Sequence, residues 1–134
     1  MNDLLNAVAE LLYGSGESAS GFDGSDAQAQ ADAIASLSRR QYCLVREWII
    51  AEVEVTDDYR ASLVTDGLLP FVLYASNVVF HSTGKRCGGD WVRSTFQRAS
   101  SQGHLFMTRN TTYMLLGPGL RKKVSPKTIL AITE

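Results

Sequence analysis

Residues 42–55, YCLVREWIIAEVEV, are the stretch on which the fold depends. Over its last four positions glutamate alternates with valine, a pattern that predicts a β-strand with one buried face and one wet face. Residues 71–80, FVLYASNVVF, follow Pro70 and are largely apolar, as expected of a strand in the centre of a sheet. Two such strands in succession predict that a sheet forms the core.

Shorter strands are predicted after this pair. Residues 90–96 predict a third strand, and residues 104–109 and 111–116 predict a hairpin that turns at Asn110. A Gly-Pro-Gly turn then leads into a last strand at residues 120–124. The second half of the chain is therefore expected to be mostly β.

Helices are predicted ahead of the strands. Residues 2–13 place leucine and valine at helical spacing, and Ser25 followed by Asp26 begins an alanine-rich segment that favours a helix to residue 37. Between them, residues 14–24, GSGESASGFDG, have the composition of a flexible loop.

Two further helical segments are short. Residues 57–66 predict a short helix that Gly67 closes. Ser125 and Pro126 suit the capping and first positions of a closing helix that extends to residue 132.

These elements predict one α+β domain that spans residues 1–134. Two N-terminal helices precede an antiparallel sheet, or a small open barrel, of five or six strands, and a short helix closes the chain. The start of the chain has no basic leader, and the longest apolar run is too short to span a bilayer. We therefore expect a cytoplasmic protein that has no membrane partner, with its oligomeric state left open.

Cysteine and histidine offer little chemistry. Cys43 and Cys87 are far apart and are expected to be reduced thiols, and with His81 and His104 they form no metal-binding motif. No phosphate-binding or nucleotide-binding motif and no serine nucleophile elbow occurs. The sequence therefore predicts no cofactor, no metal and no enzymatic activity.

Cys87 is the one thiol that suggests an alternative. It follows Lys85 and Arg86, which would lower its pKa, and two glycines after it would leave it accessible. A cysteine-dependent enzyme with His81 or His104 as base is therefore a minor hypothesis.

Charge divides the chain into unequal halves. Residues 1–66 carry twelve acids and four arginines, a net of −8, whereas residues 67–134 carry two acids and nine cations, a net of +7. Either the halves fold against each other and the charges pair, or the surface stays bipolar and offers a basic or an acidic patch to a partner. Both interpretations stay open at this point.

Each patch has its own candidate residues. The candidate basic patch comprises Arg93, Arg98, Arg109, Arg121, Lys122 and Lys123. Beside Trp91, Phe96, Phe106 or Tyr113 it would suit single-stranded nucleic acid, provided that these aromatic side chains are not in the core. The candidate acidic patch comprises Glu47, Glu52, Glu54, Asp57 and Asp58, and it would suit a basic protein surface.

Two stretches of the second half carry a resemblance. Residues 73–95, LYASNVVFHSTGKRCGGDWVRST, and residues 105–124, LFMTRNTTYMLLGPGLRKKV, are similar to a family of small uncharacterised bacterial proteins associated with pseudomonads and their phages or prophages. The elements GDWVRST and TRNTTYMLLGPG carry the likeness, and they contain no catalytic motif. The resemblance implies a context, that of a phage-type accessory protein. In that context we expect a non-enzymatic protein that binds a host protein, as an inhibitor of a host factor or defence complex. A small nucleic-acid-binding β-domain is the alternative.

Overall fold

A computed structural model describes residues 3–37, 40–86, 88–100 and 103–132. Within these ranges the chain forms four helices and seven strands. The helices are α1 (Asp3–Tyr13), α2 (Asp26–Leu37), α3 (Asp57–Thr65) and α4 (Pro126–Leu130). The strands are β1 (Glu17–Ser20), β2 (Tyr42–Val53), β3 (Leu68–His81), β4 (Val92–Arg98), β5 (Leu105–Met107), β6 (Thr112–Leu115) and β7 (Pro118–Val124).

The α+β class is confirmed, but the predicted antiparallel sheet of five or six strands is only partly right. The seven strands form one mixed open sheet in which β2 pairs antiparallel with β3, and β3 with β4. On its other edge β2 pairs in parallel first with β6 and then with β7. After β4 the chain passes through the β5–β6 hairpin, and both β6 and β7 run parallel to β2. The alternation of apolar and polar residues within a strand does not specify this direction.

The predicted loop at residues 14–24 contains a strand. β1 pairs antiparallel with β7, from Glu17 opposite Arg121 to Ser20 opposite Pro118. It therefore separates the two predicted N-terminal helices, α1 and α2, which are both present. Its sequence, ESAS, has neither β-branched nor aromatic residues, so propensity gives no sign of it.

Capping explains the two short helices. Thr56 accepts a hydrogen bond from the backbone N–H of Tyr59 and caps α3, and Ser125 accepts one from the N–H of Thr128 and caps α4. Pro126 occupies the first turn of α4, where its missing N–H costs nothing. The structure confirms both helices, and α4 ends at Leu130.

The core lies on both faces of the sheet. On the side that we call the inner face, the buried cluster contains strand residues and no described helical residue, and it includes Val45, Trp48, Leu73 and Phe106. The sheet curls around this cluster, so that β4 and β5 contact each other without pairing in the described part of the chain.

Helices cover the opposite side, which we call the outer face. α2 packs on one end of it through Ala29 and Ala33. α1 and α4 pack on the other end through Leu11 and Ile129, against Ile49 and other residues of β2, β3 and β7. The two ends of the outer face therefore have separate helical covers.

A break in the alternation of β2 divides these two ends. Val45 and Trp48 both belong to the inner cluster although three positions separate them, because Glu47 between them has a φ of 54°. At this point β2 changes its parallel neighbour from β6 to β7. The strained residue thus resets which face each side chain of β2 occupies.

Trp48 joins the two parallel neighbours of β2. Its indole N–H donates to the carbonyl oxygen of Leu116 at 3.1 Å, and its ring lies over Gly119, where any Cβ would collide with the indole. Gly117, with a φ of 67°, makes the turn between these two residues. Gly117 therefore allows the turn, and Gly119 leaves room for the indole ring of Trp48.

Candidate functional site

A largely apolar depression lies on the outer face, between α3 and α4. We call it the outer cleft, and its volume is about 620 Å³. Val53 and Val72 line it from the sheet, Tyr59 from α3, Phe96 from β4, and Ile129 and Leu130 from α4. A depression of this size and composition is typical of binding sites.

The aromatic residues beside the cleft form two contacts. The ring centroids of Tyr59 and Phe96 are 6.3 Å apart, and those of Tyr74 and Trp91 are 6.1 Å apart. Tyr74, Trp91 and Phe96 are half-buried, and Tyr59 is 48% exposed. Large aromatic surfaces are thus partly available to a partner at and beside the cleft.

One arginine lies in the wall of the cleft. The Arg93 guanidinium donates to the carbonyl oxygen of Ile129 at 3.1 Å and so ties β4 to the end of α4. Arg93 belongs to the candidate basic patch, and on β4 it lies near Trp91 and Phe96. A cation near partly exposed aromatic side chains is the combination that suits single-stranded nucleic acid.

The remaining cations of the candidate basic patch lie in three places. Arg98 ends β4 opposite Leu68, and the backbone oxygen of Arg109, between β5 and β6, accepts a hydrogen bond from Arg40. Arg121, Lys122 and Lys123 are consecutive on β7. The structure thus brings the last three together and places Arg93 on the outer cleft.

Lys122 differs from its two neighbours because its ammonium group holds α1. Its Nζ donates to the backbone oxygens of Glu10, Leu11 and Gly14 at 3.1, 2.6 and 2.7 Å. These carbonyls lie at or just beyond the end of α1, and that of Glu10 also accepts a hydrogen bond from the backbone N–H of Gly14 at 2.8 Å. Burial lowers the pKa of Lys122, while Glu10 acts in the opposite direction.

The residues of the candidate acidic patch lie in three places. Glu54 lines the outer cleft, and Asp57 and Asp58 occupy the first turn of α3, where the helix dipole favours carboxylates. Glu52 forms an ion pair with Arg60 at 3.8 Å, and Glu47 is the strained residue of β2. Three of the five predicted acids thus lie at or near the cleft.

Two of the four aromatic residues proposed for stacking are in the core. Phe106 is fully buried, and Tyr113 lies in the same inner cluster, where burial raises its pKa to about 12. Trp91 and Phe96 are the two that keep some exposure. Of the four aromatic residues, Trp91 and Phe96 are therefore the two that could stack on a nucleic-acid base.

Of the two cysteines, the structure describes Cys43. Cys43 is fully buried, and this burial raises the pKa of its thiol to about 12, although Arg86 acts in the opposite direction. Cys87, the thiol of the enzyme hypothesis, lies outside the described residues. Within the ranges that the structure describes, no group of His, Cys, Asp and Glu could hold a metal ion.

His81 lies opposite Cys43 and is held by the following turn. Its Nδ1 accepts a hydrogen bond from the backbone N–H of Thr83 at 3.2 Å, so the neutral ring carries its proton on Nε2. Burial, and then the nearby charges of Arg86 and Lys85, lower the pKa of His81.

This environment predicts a loss of stability in acid. The unfolded chain takes up a proton near the ordinary pKa of 6.5, whereas the folded chain takes it up only at lower pH, so stability falls as the pH drops below 6.5. Urea unfolding at about pH 7 and about pH 5 should show a smaller loss in His81→Gln than in the wild type. The control His104→Gln should keep the wild-type loss. Equal losses in all three proteins would contradict the prediction.

Sequence reasoning missed part of the cleft. Tyr59 and Leu130 were not singled out, although Leu130 is 64% exposed on α4. Large apolar side chains in short, otherwise polar helices were the available signal. That they meet across one cleft depends on β2, β3 and β4 being neighbours.

Residues 20–131 match the family model described as a domain of unknown function, DUF6957. The chain belongs to this family. The prediction of an uncharacterised family is thus confirmed. Searches of curated proteins and of solved structures each found no match. The DUF6957 region contains the whole outer cleft, whereas α1 and all but the last residue of β1 precede it.

Every helix in the described part of the chain is too short or too polar to cross a membrane.

Proposed function

We propose that this protein is a non-enzymatic binding module that recognises a partner protein through the outer cleft. The observation that carries the proposal is the meeting of Tyr59, Phe96, Arg93 and Leu130 around one apolar depression. Aromatic residues and arginine dominate the energetic centres of protein interfaces. A partner side chain placed in the cleft would bury apolar surface against Val53 and Val72.

Charge around the cleft would orient the partner. Glu54, Asp57 and Asp58 supply negative charge at the start of α3, while Arg93 supplies a cation that is already fixed by Ile129. Complementary charges at a rim mainly set the association rate and the orientation of a partner. This arrangement favours a partner protein whose charged surface carries an apolar side chain that enters the cleft.

The class of partner follows from the resemblance to phage-associated proteins. In that setting the partner would be a host protein, and binding would inhibit a host factor or defence complex. The identity of the partner is the first result that the proposal requires. Capture from a bacterial lysate, followed by a binary titration, provides it.

Leu130→Glu tests the cleft directly. A glutamate at position 130 would place a charge against the apolar side chain of the partner that enters the cleft. We therefore expect the affinity for the captured partner to fall by about tenfold or more in isothermal titration. Leu5→Glu is the matched control, because Leu5 is 66% exposed on α1 and does not line the cleft.

Two results would contradict the proposal. One is wild-type affinity in Leu130→Glu, and the other is an equal loss in Leu5→Glu. Circular dichroism of both variants establishes that each is folded.

Nucleic-acid binding is the second candidate, because Arg93 lies on β4 near the partly exposed Trp91 and Phe96. A labelled single-stranded DNA belongs in the same titrations. Binding that weakens steeply with salt, and that Arg93→Ala abolishes, would favour this candidate over a protein partner.

A further inference from the structure

The outer edge of β7 is only partly covered. β1 pairs with Pro118 to Arg121, whereas in the described part of the chain no strand pairs with residues 122–124 on that side. A cavity of about 570 Å³, lined by both polar and apolar residues, lies beside this stretch, between α1 and β7. An edge of this kind has room for a longer strand than β1.

The segment that occupies the edge is weakly attached. We call residues 3–20, which comprise α1 and β1, the N-terminal arm. Three of the four residues of β1 are exposed and the fourth is half-buried, and Leu11 is the one buried residue of α1. Leu5 and Tyr13 of α1 are 66% and 85% exposed. A segment with so few buried contacts opens at low cost in free energy.

Lys122 attaches α1 to the sheet by hydrogen bonds, in addition to the packing of Leu11 on the outer face. Its ammonium binds three backbone oxygens at the end of that helix, as described above. These bonds break if the arm leaves, and the charge of Lys122 then becomes available. The arm also lies almost entirely outside the DUF6957 match, which begins at residue 20.

We propose that the outer edge of β7 is a strand-acceptor site, and that an extended acidic segment of a partner protein binds there in place of the N-terminal arm. Pairing of an extended segment with a sheet edge is an established mode of peptide recognition. A segment of seven residues could pair along the whole of Pro118–Val124, whereas β1 covers four of these positions. The longer strand gains main-chain hydrogen bonds that β1 cannot make.

The charges of β7 specify an acidic occupant. Arg121 and Lys123 are exposed and, being two positions apart, lie on the same face of the strand. β1 places Glu17 opposite Arg121 and has no residue opposite Lys123. Carboxylates at alternate positions of an incoming strand would meet both cations on that face. This site goes beyond the outer cleft and uses different residues.

A reversible cross-link tests displacement in the full chain. Ser18 and Leu120 are directly opposite each other in the β1–β7 pair, so Ser18→Cys with Leu120→Cys can form a disulfide that locks the arm. Cys87→Ser in the same protein leaves buried Cys43 as the other thiol. The probe is a fluorescein-labelled seven-residue peptide of alternating valine and glutamate, followed by anisotropy.

We expect the reduced protein to bind this peptide and the oxidised protein to bind it at least about tenfold more weakly, because the lock removes the competent state. Glu17→Lys, which places like charges opposite each other, should strengthen binding about threefold by loosening the arm. A peptide with two central prolines cannot complete the ladder and should not bind.

Several results would overturn the inference. Equal binding by the oxidised and reduced proteins excludes displacement, as does wild-type affinity in Glu17→Lys. Equal binding of the proline peptide excludes strand pairing. Equal binding of a peptide with lysine in place of glutamate excludes the acidic class.

Discussion

Trp48→Ala is expected to lower the free energy of unfolding by about 3–5 kcal/mol, as is usual for the loss of a buried tryptophan. Trp48 is 2% exposed, packs on Gly119 and donates its indole proton to Leu116. Its removal leaves a cavity where β2 exchanges β6 for β7, and it leaves the Leu116 oxygen without this donor. Urea unfolding followed by far-ultraviolet circular dichroism measures the change.

Trp91→Ala is the matched control for this experiment. Trp91 is half-buried at the margin of the outer-face core, and its removal should cost clearly less than the removal of Trp48. Trp48→Phe keeps most of the volume and stays measurable if the alanine variant does not fold. A cost below about 1.5 kcal/mol for Trp48→Ala would contradict the role given to this residue.

Phe106→Ala is expected to cost a similar amount, about 3–5 kcal/mol. Phe106 is fully buried, although β5, which carries it, is three residues long. It packs in the inner cluster, which contains no described helical residue. Phe106 is thus the one buried side chain of this short strand. Urea unfolding compared with the wild type tests the prediction.

Phe80→Ala provides the control for Phe106. Phe80 is 38% exposed on β3 and contacts Tyr42, so truncating it should cost less than half as much. Equal losses in the free energy of unfolding for the two phenylalanine variants would contradict the role given to Phe106 in the inner cluster.

The strand pair at the centre of the fold could be predicted because its sequence signal is local. β2 and β3 are long, rich in apolar and β-branched residues, and bounded by polar segments. The caps at Thr56 and Ser125 are local in the same sense, since each side chain bonds an N–H three residues ahead. Such features can be predicted because the residues that produce them are close together in the sequence.

The separation of the charges was also visible in the sequence, but its outcome was not. The ion pairs Arg46–Asp26 and Arg60–Glu52 both lie within the acidic half. Between the halves, β-pairing places Glu17 beside Arg121 and Glu52 beside Lys123. Opposite charges therefore pair within the acidic half, and they also meet at two positions where strands of the two halves are neighbours.

The sequence by itself determined the α+β class, the central strands, the helices and the distribution of charge along the chain. Only the tertiary structure decided that β6 and β7 lie parallel to β2, that β1 covers part of β7, and that Tyr59, Phe96 and Leu130 meet in one cleft. The physical reason is that helix caps and side-chain periods act over a few residues. Strand neighbours, by contrast, are chosen by packing between residues that are distant along the chain.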